Sequence, residues 1–367
     1  MNDSELIAFL RLQKIPNIGD ITVKKLIRHC GSPTAVFTDK IQQLLKIDGV
    51  GTWSLEHLHN TTYVREAEQE LRFIKNQKIA YTSFLDDDYP HYLKHCPDSP
   101  LLLFKRGNID IAGRRIISVV GTRNITSYGM AFCEKFIEDI APLNPIIVSG
   151  FAYGVDICIQ KAAMAHGLQT IGCLAHGLNQ IYPKRHAKYV SGLEKNGGFM
   201  TEFWSTSRPE REHFLKRNRI IAGMSEATVV VESAERGGSL VTADIAHGYH
   251  RDVFAVPGRA TDPYSIGCNN LIKQQKAHLL TAAADLIYLM GWNMEEKEAV
   301  PIQKQLFVEL DDTEQTIYTY LQKKGKQLLD SIALECHFPI FKVSATLVGM
   351  EMKGVVRPLP GKVFEAI

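Results

Sequence analysis

From Arg115 to about Val256 the chain alternates short β-branched runs with amphipathic helical stretches, and no other feature restricts its fold as much. Such alternation builds a mostly parallel sheet covered by helices on both faces. The runs Ile116–Val120, Ile146–Ser149, Thr170–Leu174, Phe199–Glu202, Thr228–Val231 and Val253–Val256 are the expected strands. After the first, Met130, Cys133, Phe136, Ile137 and Ile140 recur at helical spacing, which predicts one buried stripe. The 367 residues leave room for further modules, because domains average roughly 100–200 residues.

Residues 1–75 have helical periodicity and carry two similar glycine turns, Ile15-Pro16-Asn17-Ile18-Gly19 and Ile47-Asp48-Gly49-Val50-Gly51, each before a polar residue and a helix. Turns of this kind expose backbone N–H groups at helix starts, as helix-hairpin-helix modules do around phosphates. They also close ordinary helical hairpins. Residues 76–292 form the expected sheet domain, entered through an irregular stretch and the strand Leu101-Leu102-Leu103-Phe104. Residues 293–312, charged and containing Pro301, read as a linker. In 313–367, three short helical patterns precede a two-stranded wing, a winged-helix pattern.

A net charge of +2 excludes a polybasic coat and confines any nucleic-acid contact to a patch. The seven cysteines are scattered and never in C-x-x-C spacing, which argues against a disulfide framework or zinc site and for a reducing cytoplasm. The start Met1–Leu10 lacks a signal-peptide pattern, and no apolar run reaches the roughly 18 residues of a membrane span. A cytoplasmic protein is therefore expected.

Four loops carry the chemistry. The first strand runs into Gly121-Thr122-Arg123 and a helix beginning near Thr126 and Ser127. Gly121 allows close backbone approach, Thr122 and Thr126 offer hydroxyls, and Arg123 offers a guanidinium fork for phosphate. The second strand repeats the device in Ser149-Gly150-Phe151-Ala152-Tyr153-Gly154-Val155-Asp156, with Asp156 as the expected helix cap. Arg217-Asn218-Arg219 places cations at the start of a helix, and Glu235-Arg236-Gly237-Gly238-Ser239 exposes amides before another. A lone glycine turn would be ordinary Rossmann connectivity, but four such loops in one domain point to a polyanion. Between them, Tyr182-Pro183-Lys184-Arg185-His186-Ala187-Lys188-Tyr189 mixes cations with aromatics, the combination that suits single strands.

The ordered set Gly121-Thr122-Arg123, Thr126-x-Tyr128-Gly129, Ser149-Gly150-x-Ala152-x-Gly154-x-Asp156, Tyr182-Pro183, Arg217-Asn218-Arg219-Ile220-Ile221 and Val256-Pro257-Gly258 resembles the DNA processing protein A family, DprA/Smf. The similarity covers about Leu101 to Trp292 closely, and the end modules agree in type. It implies an extended Rossmann-like mostly parallel α/β sheet with a small N-terminal all-α domain (helix-hairpin-helix/SAM-like) and a C-terminal winged helix. It further implies a homodimer that binds single-stranded DNA and hands it to a RecA-type recombinase in natural transformation. By this resemblance Arg123, Lys184, Lys188, Gly237, Gly238 and Ser239 belong to the binding pocket. The chain departs from the family pattern at Ile159-Gln160, Ala175 and Gly237, which stand where Ala-His, glycine and serine are usual.

An enzyme is the rival reading, since nucleotide phosphoribohydrolases of the lysine-decarboxylase-like family share the sheet. Their Pro-Gly-Gly-x-Gly-Thr-x-x-Glu mark is broken here, with only Asp244 near the place of the glutamate. Neither G-x-G-x-x-G nor G-x-x-x-x-G-K-[ST] occurs, against a dinucleotide oxidoreductase or an ATPase. No catalytic residue, metal site, cofactor or membrane partner is expected; His166, His176, His247 and His250 lack ligand spacing. The last helix, from Ile340 to Lys353, offers Lys342 and Lys353 against Glu351, too few cations for a duplex reader.

Overall fold

The computed structural model describes residues 1–292, 310–359 and 362–367, and separates into two compact units, Met1–Met294 and Glu295–Ile367. Most of the expected linker, residues 293–309, and Pro360 and Gly361 of the wing lie outside the described residues.

The first unit is built on a nine-stranded sheet of order β1-β2-β6-β5-β4-β3-β7-β8-β9. Its strands are β1 (Ala80–Ser83), β2 (Leu102–Asn108), β3 (Ile116–Val120), β4 (Ile146–Ser149), β5 (Thr170–Cys173), β6 (Gly197–Thr201), β7 (Ala227–Val230), β8 (Asp252–Ala255) and β9 (His278–Leu279). From β6 to β9 all pairings are parallel, whereas β2 meets β6 and β1 meets β2 antiparallel. All six expected strands are present within two residues of their expected bounds. The entry strand is longer than its apolar run, because Lys105 to Asn108 continue the ladder against β6.

Each central strand is buried on both faces, which explains its unbroken β-branched sequence. Along β3, Ile117 and Val119 join a cluster with Cys133, Phe136, Ile137 and Ile140 of α4 (Ser127–Ile140). Ile116 and Val120 face the opposite cluster, which also takes in Leu6, Phe9 and Leu10 of α1 (Asp3–Lys14) and Leu26 of α2 (Asp20–Cys30). The N-terminal helices, completed by α3 (Thr61–Asn76), thus share one hydrophobic core with the sheet. The expected α4 stripe needs one correction: Met130 is 43% exposed, and Gly129 takes the buried place a turn before Cys133. A side chain there would strike the Glu232 carboxylate.

Three more helices frame the sheet: α5 (Val155–Ala165), α6 (Arg211–Met224) and α7 (Gly238–Gly248). No single helix among the described residues is long and apolar enough to cross a membrane, and all seven cysteines are free.

The second unit follows the winged-helix order α8 (Asp312–Lys324), β10 (Gln327–Leu328), α9 (Leu329–Glu335), α10 (Ile340–Met352), β11 (Val356–Leu359) and β12 (Val363–Ala366). Asp311 and Glu314 close a capping box at the start of α8, and Ile317, Leu321, Ile332, Val343, Leu347 and Met350 form its core. The outer side of α10 is apolar, with Ile340, Phe341, Val348 and Met352 exposed.

Candidate nucleic-acid interface

Connections from β3 run through β4 and β5 to β6 on one side, while β7, β8 and β9 lie on the other. The order therefore reverses between β3 and β7, and open α/β sheets bind ligands in the crevice such a reversal opens at the strands' carboxyl ends. A cleft of about 640 Å³ occupies that place, lined by Gly121, Thr122 and Arg123 after β3, Ser233 to Ser239 after β7, and the first half of α6.

The loop after β3 is held by the loop after β7. Thr122 N donates to the Glu232 carbonyl at 2.7 Å, and the buried Glu232 carboxylate accepts from Thr126 N at 2.9 Å and Thr126 Oγ1 at 2.5 Å. Gly121 is required because a Cβ would enter Val155 and approach the Glu232 carbonyl. Arg123 is left exposed, with its Cζ 5.4 Å from the Phe214 ring centroid. Thr126 is corrected as a ligand candidate, since its oxygen caps α4 and bonds Glu232.

The second glycine loop has a different role from the expected one. Gly154 has φ +75°, a backbone region that suits glycine, and a Cβ would collide with the Thr122 carbonyl, so it locks the two turns together. Gly154, not Asp156, caps α5; the fully buried Asp156 carboxylate accepts from Ala152 N at 3.3 Å. Beside it Arg217 donates to the carbonyls of Gly150, at 2.7 Å, and Cys173, at 2.6 Å, joining the ends of β4 and β5. Burial pushes the Asp156 carboxyl up, and Arg217 opposes that push. Gly150 leaves space for this guanidinium, so neither Gly150 nor Arg217 presents a free group to solvent. Phe151, a candidate for strand contact by its place in the second glycine loop, is instead a core ring wholly buried against Phe199 and His186.

Arg219 is a clearer correction. Its guanidinium, 8% exposed, bonds Glu202 at 2.5 Å and Asp20 at 2.9 Å, which ties α6 to the start of α2. Arg217 and Arg219 stand in the middle of α6 and not at its expected start, because the helix already begins at Arg211, and they leave it in different directions. Asn218, between them, is buried and lines the cleft.

Gly237, Gly238 and Ser239 open α7 toward the cleft without a side-chain cap on the helix. Ser239 Oγ donates to Ser233 Oγ at 2.9 Å, and a Cβ at Gly237 would crowd that Ser233 oxygen. Glycine in place of the family's serine therefore suits the local packing. Lys184 and Lys188 are exposed on a short 3₁₀ helix, Lys184–Tyr189, outside the cleft lining, while Tyr182 just before it lines the cleft.

Sequence reasoning missed Arg211, Phe214 and Tyr264 and gave Arg236 no role of its own; all four line the cleft. Arg211 and Phe214 carry no local motif, though their place two turns and one turn before Asn218 on a helix was a usable signal. Tyr182 and Phe214 stand with ring centroids 5.9 Å apart, and Asn124 Nδ2 donates to the Tyr264 hydroxyl at 3.3 Å. The cleft thus combines three exposed arginines, 123, 211 and 236, with open amides and aromatic faces. Asp244 lies outside the lining, 3.0 Å from Lys276. Among the described residues no group of three or more His, Cys, Asp or Glu side chains is placed to hold a metal.

Beside the cleft, burial holds the His176 and His186 imidazoles below the ordinary histidine value. An unfolded chain takes up these protons from about pH 6.5 downward, before the folded one does. Their contribution is intact above that value and lost as pH falls toward the lowered folded values. The urea midpoint is expected to drop between about pH 7.5 and pH 5.5. His186→Phe, which keeps a ring against Phe151 and Tyr153, should make the drop shallower.

The family model described as DNA recombination-mediator protein A matches residues 80–291, and that of the DprA winged helix domain matches 304–362. DNA processing protein DprA of Streptococcus pneumoniae is 37% identical over 211 residues, 58% of this chain and 74% of that protein. DNA processing protein DprA of Bacillus subtilis is 33% identical over 255 residues, 69% and 85%. The X-ray structure of DNA processing protein A from S. pneumoniae superposes with TM-score 0.65 at 30% identity, covering 78% of this chain and 98% of that one. A structure of DNA processing protein A from Helicobacter pylori, which has a unique single-stranded DNA binding mode, gives TM-score 0.52 at 25% identity, covering 57% of this chain and 95% of that one. With both family models matched in order along the chain and the sheet superposing on a solved member, the chain belongs to the DNA recombination-mediator protein A family, DprA/Smf.

Proposed function

We propose that this protein binds single-stranded DNA without catalysing a reaction, shelters it in the cytoplasm, and as a homodimer passes it to a RecA-type recombinase during natural transformation. One observation carries the binding reading: Arg123, Arg211 and Arg236 surround the uncapped start of α7 and the rings of Tyr182 and Phe214 in one cleft. Guanidinium groups and free amides suit phosphates, and aromatic faces suit unpaired bases. The single-stranded DNA binding of the H. pylori relative supports the same ligand. A cleft of about 640 Å³ has the size of a small-ligand pocket, which suits a few unpaired nucleotides.

The strand would enter past Lys184 and Lys188 on the rim and seat its phosphates against Arg123 and Arg236. Gly121, Thr122, Gly237, Gly238 and Ser239 would supply amides and close approach, with Asn218 on the wall. Arg217, Gly150 and Phe151 would act from beneath, by fixing the loops. Two copies on one strand would add avidity. The nucleotide-hydrolysing alternative is not favoured, because Asp244 faces Lys276 outside the cleft.

The test is a salt-titrated gel shift with labelled single strand, competed by unlabelled single strand or duplex. Single strand should compete far better, and affinity should fall steeply with salt. Equal competition by duplex would overturn the reading. Lys184→Ala should cost about 1 kcal/mol or less, as a rim charge in solvent does.

A further inference from the structure

The two glycine turns of the N-terminal helices share a sequence pattern and have different surroundings. At the first, Asp20 pairs with Arg219, and Lys24 is buried with its ammonium 2.5 Å from Ser99 Oγ and 3.3 Å from the Pro97 carbonyl. That turn is a joint between α2 and the sheet. At the second, Gly51 is followed by Thr52 and by Trp53, whose indole is 68% exposed. The other tryptophans, Trp204 and Trp292, are 5% and 6% exposed. A packed aromatic of this size buries on the order of 150–250 Å². Trp53 thus leaves most of such an area in water beside a tight turn, with its ring open to a ligand.

Cations accompany it. Lys25 Nζ donates to the Asp48 carbonyl at 2.9 Å and lies 3.6 Å from the Asp48 carboxylate, so an ammonium sits within the turn that leads to Trp53. Asp48 is fully solvated and a weak competitor for that charge. Lys46, just before the turn, is exposed. Helix α6, which lines the cleft with Arg211 and Phe214, is tied to the start of α2 through the buried Arg219–Asp20 pair, and Lys25 is five residues further along α2, roughly 7–8 Å at the helical rise.

We infer that Trp53 is a stacking platform for an unpaired base, with Lys25 and Lys46 meeting the adjoining phosphates, so that the strand-binding surface continues from the cleft onto the N-terminal helices. The inference rests on the single-strand reading above. The aromatic face takes any base and the ammonium groups any phosphate, so this second contact is indifferent to sequence and lengthens the strand each subunit covers.

The full-length protein tests this by fluorescence, because Trp53 is the exposed indole. Titration with oligothymidylate should quench the emission of the wild-type protein. The quenching should vanish in Trp53→Phe, whose remaining ring keeps part of the affinity. Trp53→Ala should weaken binding about 5- to 150-fold, the loss of one stacked base, with an unchanged thermal midpoint to show that it folds. Wild-type protein that shifts the strand in a gel with constant emission, and a Trp53→Ala variant of equal affinity, would overturn the inference and leave the cleft reading standing. A wild-type protein that fails to shift the strand at all would overturn both.

Discussion

Arg217→Met should lower the unfolding free energy by about 3–5 kcal/mol, the usual consequence of removing one partner from a buried charge cluster. The guanidinium is the cation next to the buried Asp156 carboxyl and the donor to two strand-end carbonyls, Gly150 and Cys173. Without it, Asp156 is left charged and desolvated, or must take up a proton. The loss should depend on pH in a definite sense. The Asp156 carboxyl is already raised by burial, and losing Arg217 raises it further, so the folded variant binds a proton that the unfolded chain releases above about pH 4. Stability of the variant relative to wild type should therefore be worse at pH 8 than at pH 5. Urea unfolding followed by circular dichroism at the two pH values decides this. Arg217→Met combined with Asp156→Leu should recover much of the loss, because an apolar pair of similar bulk removes the stranded charge. A loss below about 1 kcal/mol in the single variant would show that the guanidinium does not hold the strand ends.

The double substitution Arg123→Ala and Arg236→Ala should weaken single-strand binding by about 2–4 kcal/mol, since each removes a charge-assisted phosphate contact. Both side chains are exposed at the cleft, so the thermal midpoint should not move. The salt dependence is the sharper readout. For single strands each neutralised phosphate contributes about 0.7 to the slope of log affinity against log salt, so the slope should flatten by about 1.4. A weaker complex with an unaltered slope would mean that these arginines shape the cleft and do not meet the phosphates. Fluorescence anisotropy with a labelled strand at several salt concentrations measures both quantities.

The winged unit stands apart chemically. Its outermost helix α10 presents Ile340, Phe341, Val348 and Met352 to solvent, and its cations are engaged: Lys342 lies over the Phe338 ring and Lys353 pairs with Glu314 at 2.6 Å. A helix of that character lacks the charge for phosphate contact in a major groove. We propose an accessory or protein-contacting role for the unit.

Much of this protein is legible in its sequence. Strand positions follow from β-branched runs, because a parallel strand buried on both faces tolerates little else. The glycine turns at 121 and 237 are legible too, since their close neighbours exclude a Cβ, and the order reversal gathers them into one crevice. What the sequence alone could not decide was where the arginines point. Arg123, Arg217 and Arg219 look alike in a loop motif, yet one faces solvent, one joins strand ends and one ties α6 to α2. The distinction depends on partners far away in the chain, Asp156, Glu202 and Asp20, which only the packed helices bring within reach. Local sequence thus determines which backbone conformations are possible, because sterics and burial act on each residue and its neighbours. The tertiary structure decides which charges remain available to a ligand, because a guanidinium that meets a carboxylate in the interior has none left to offer outside.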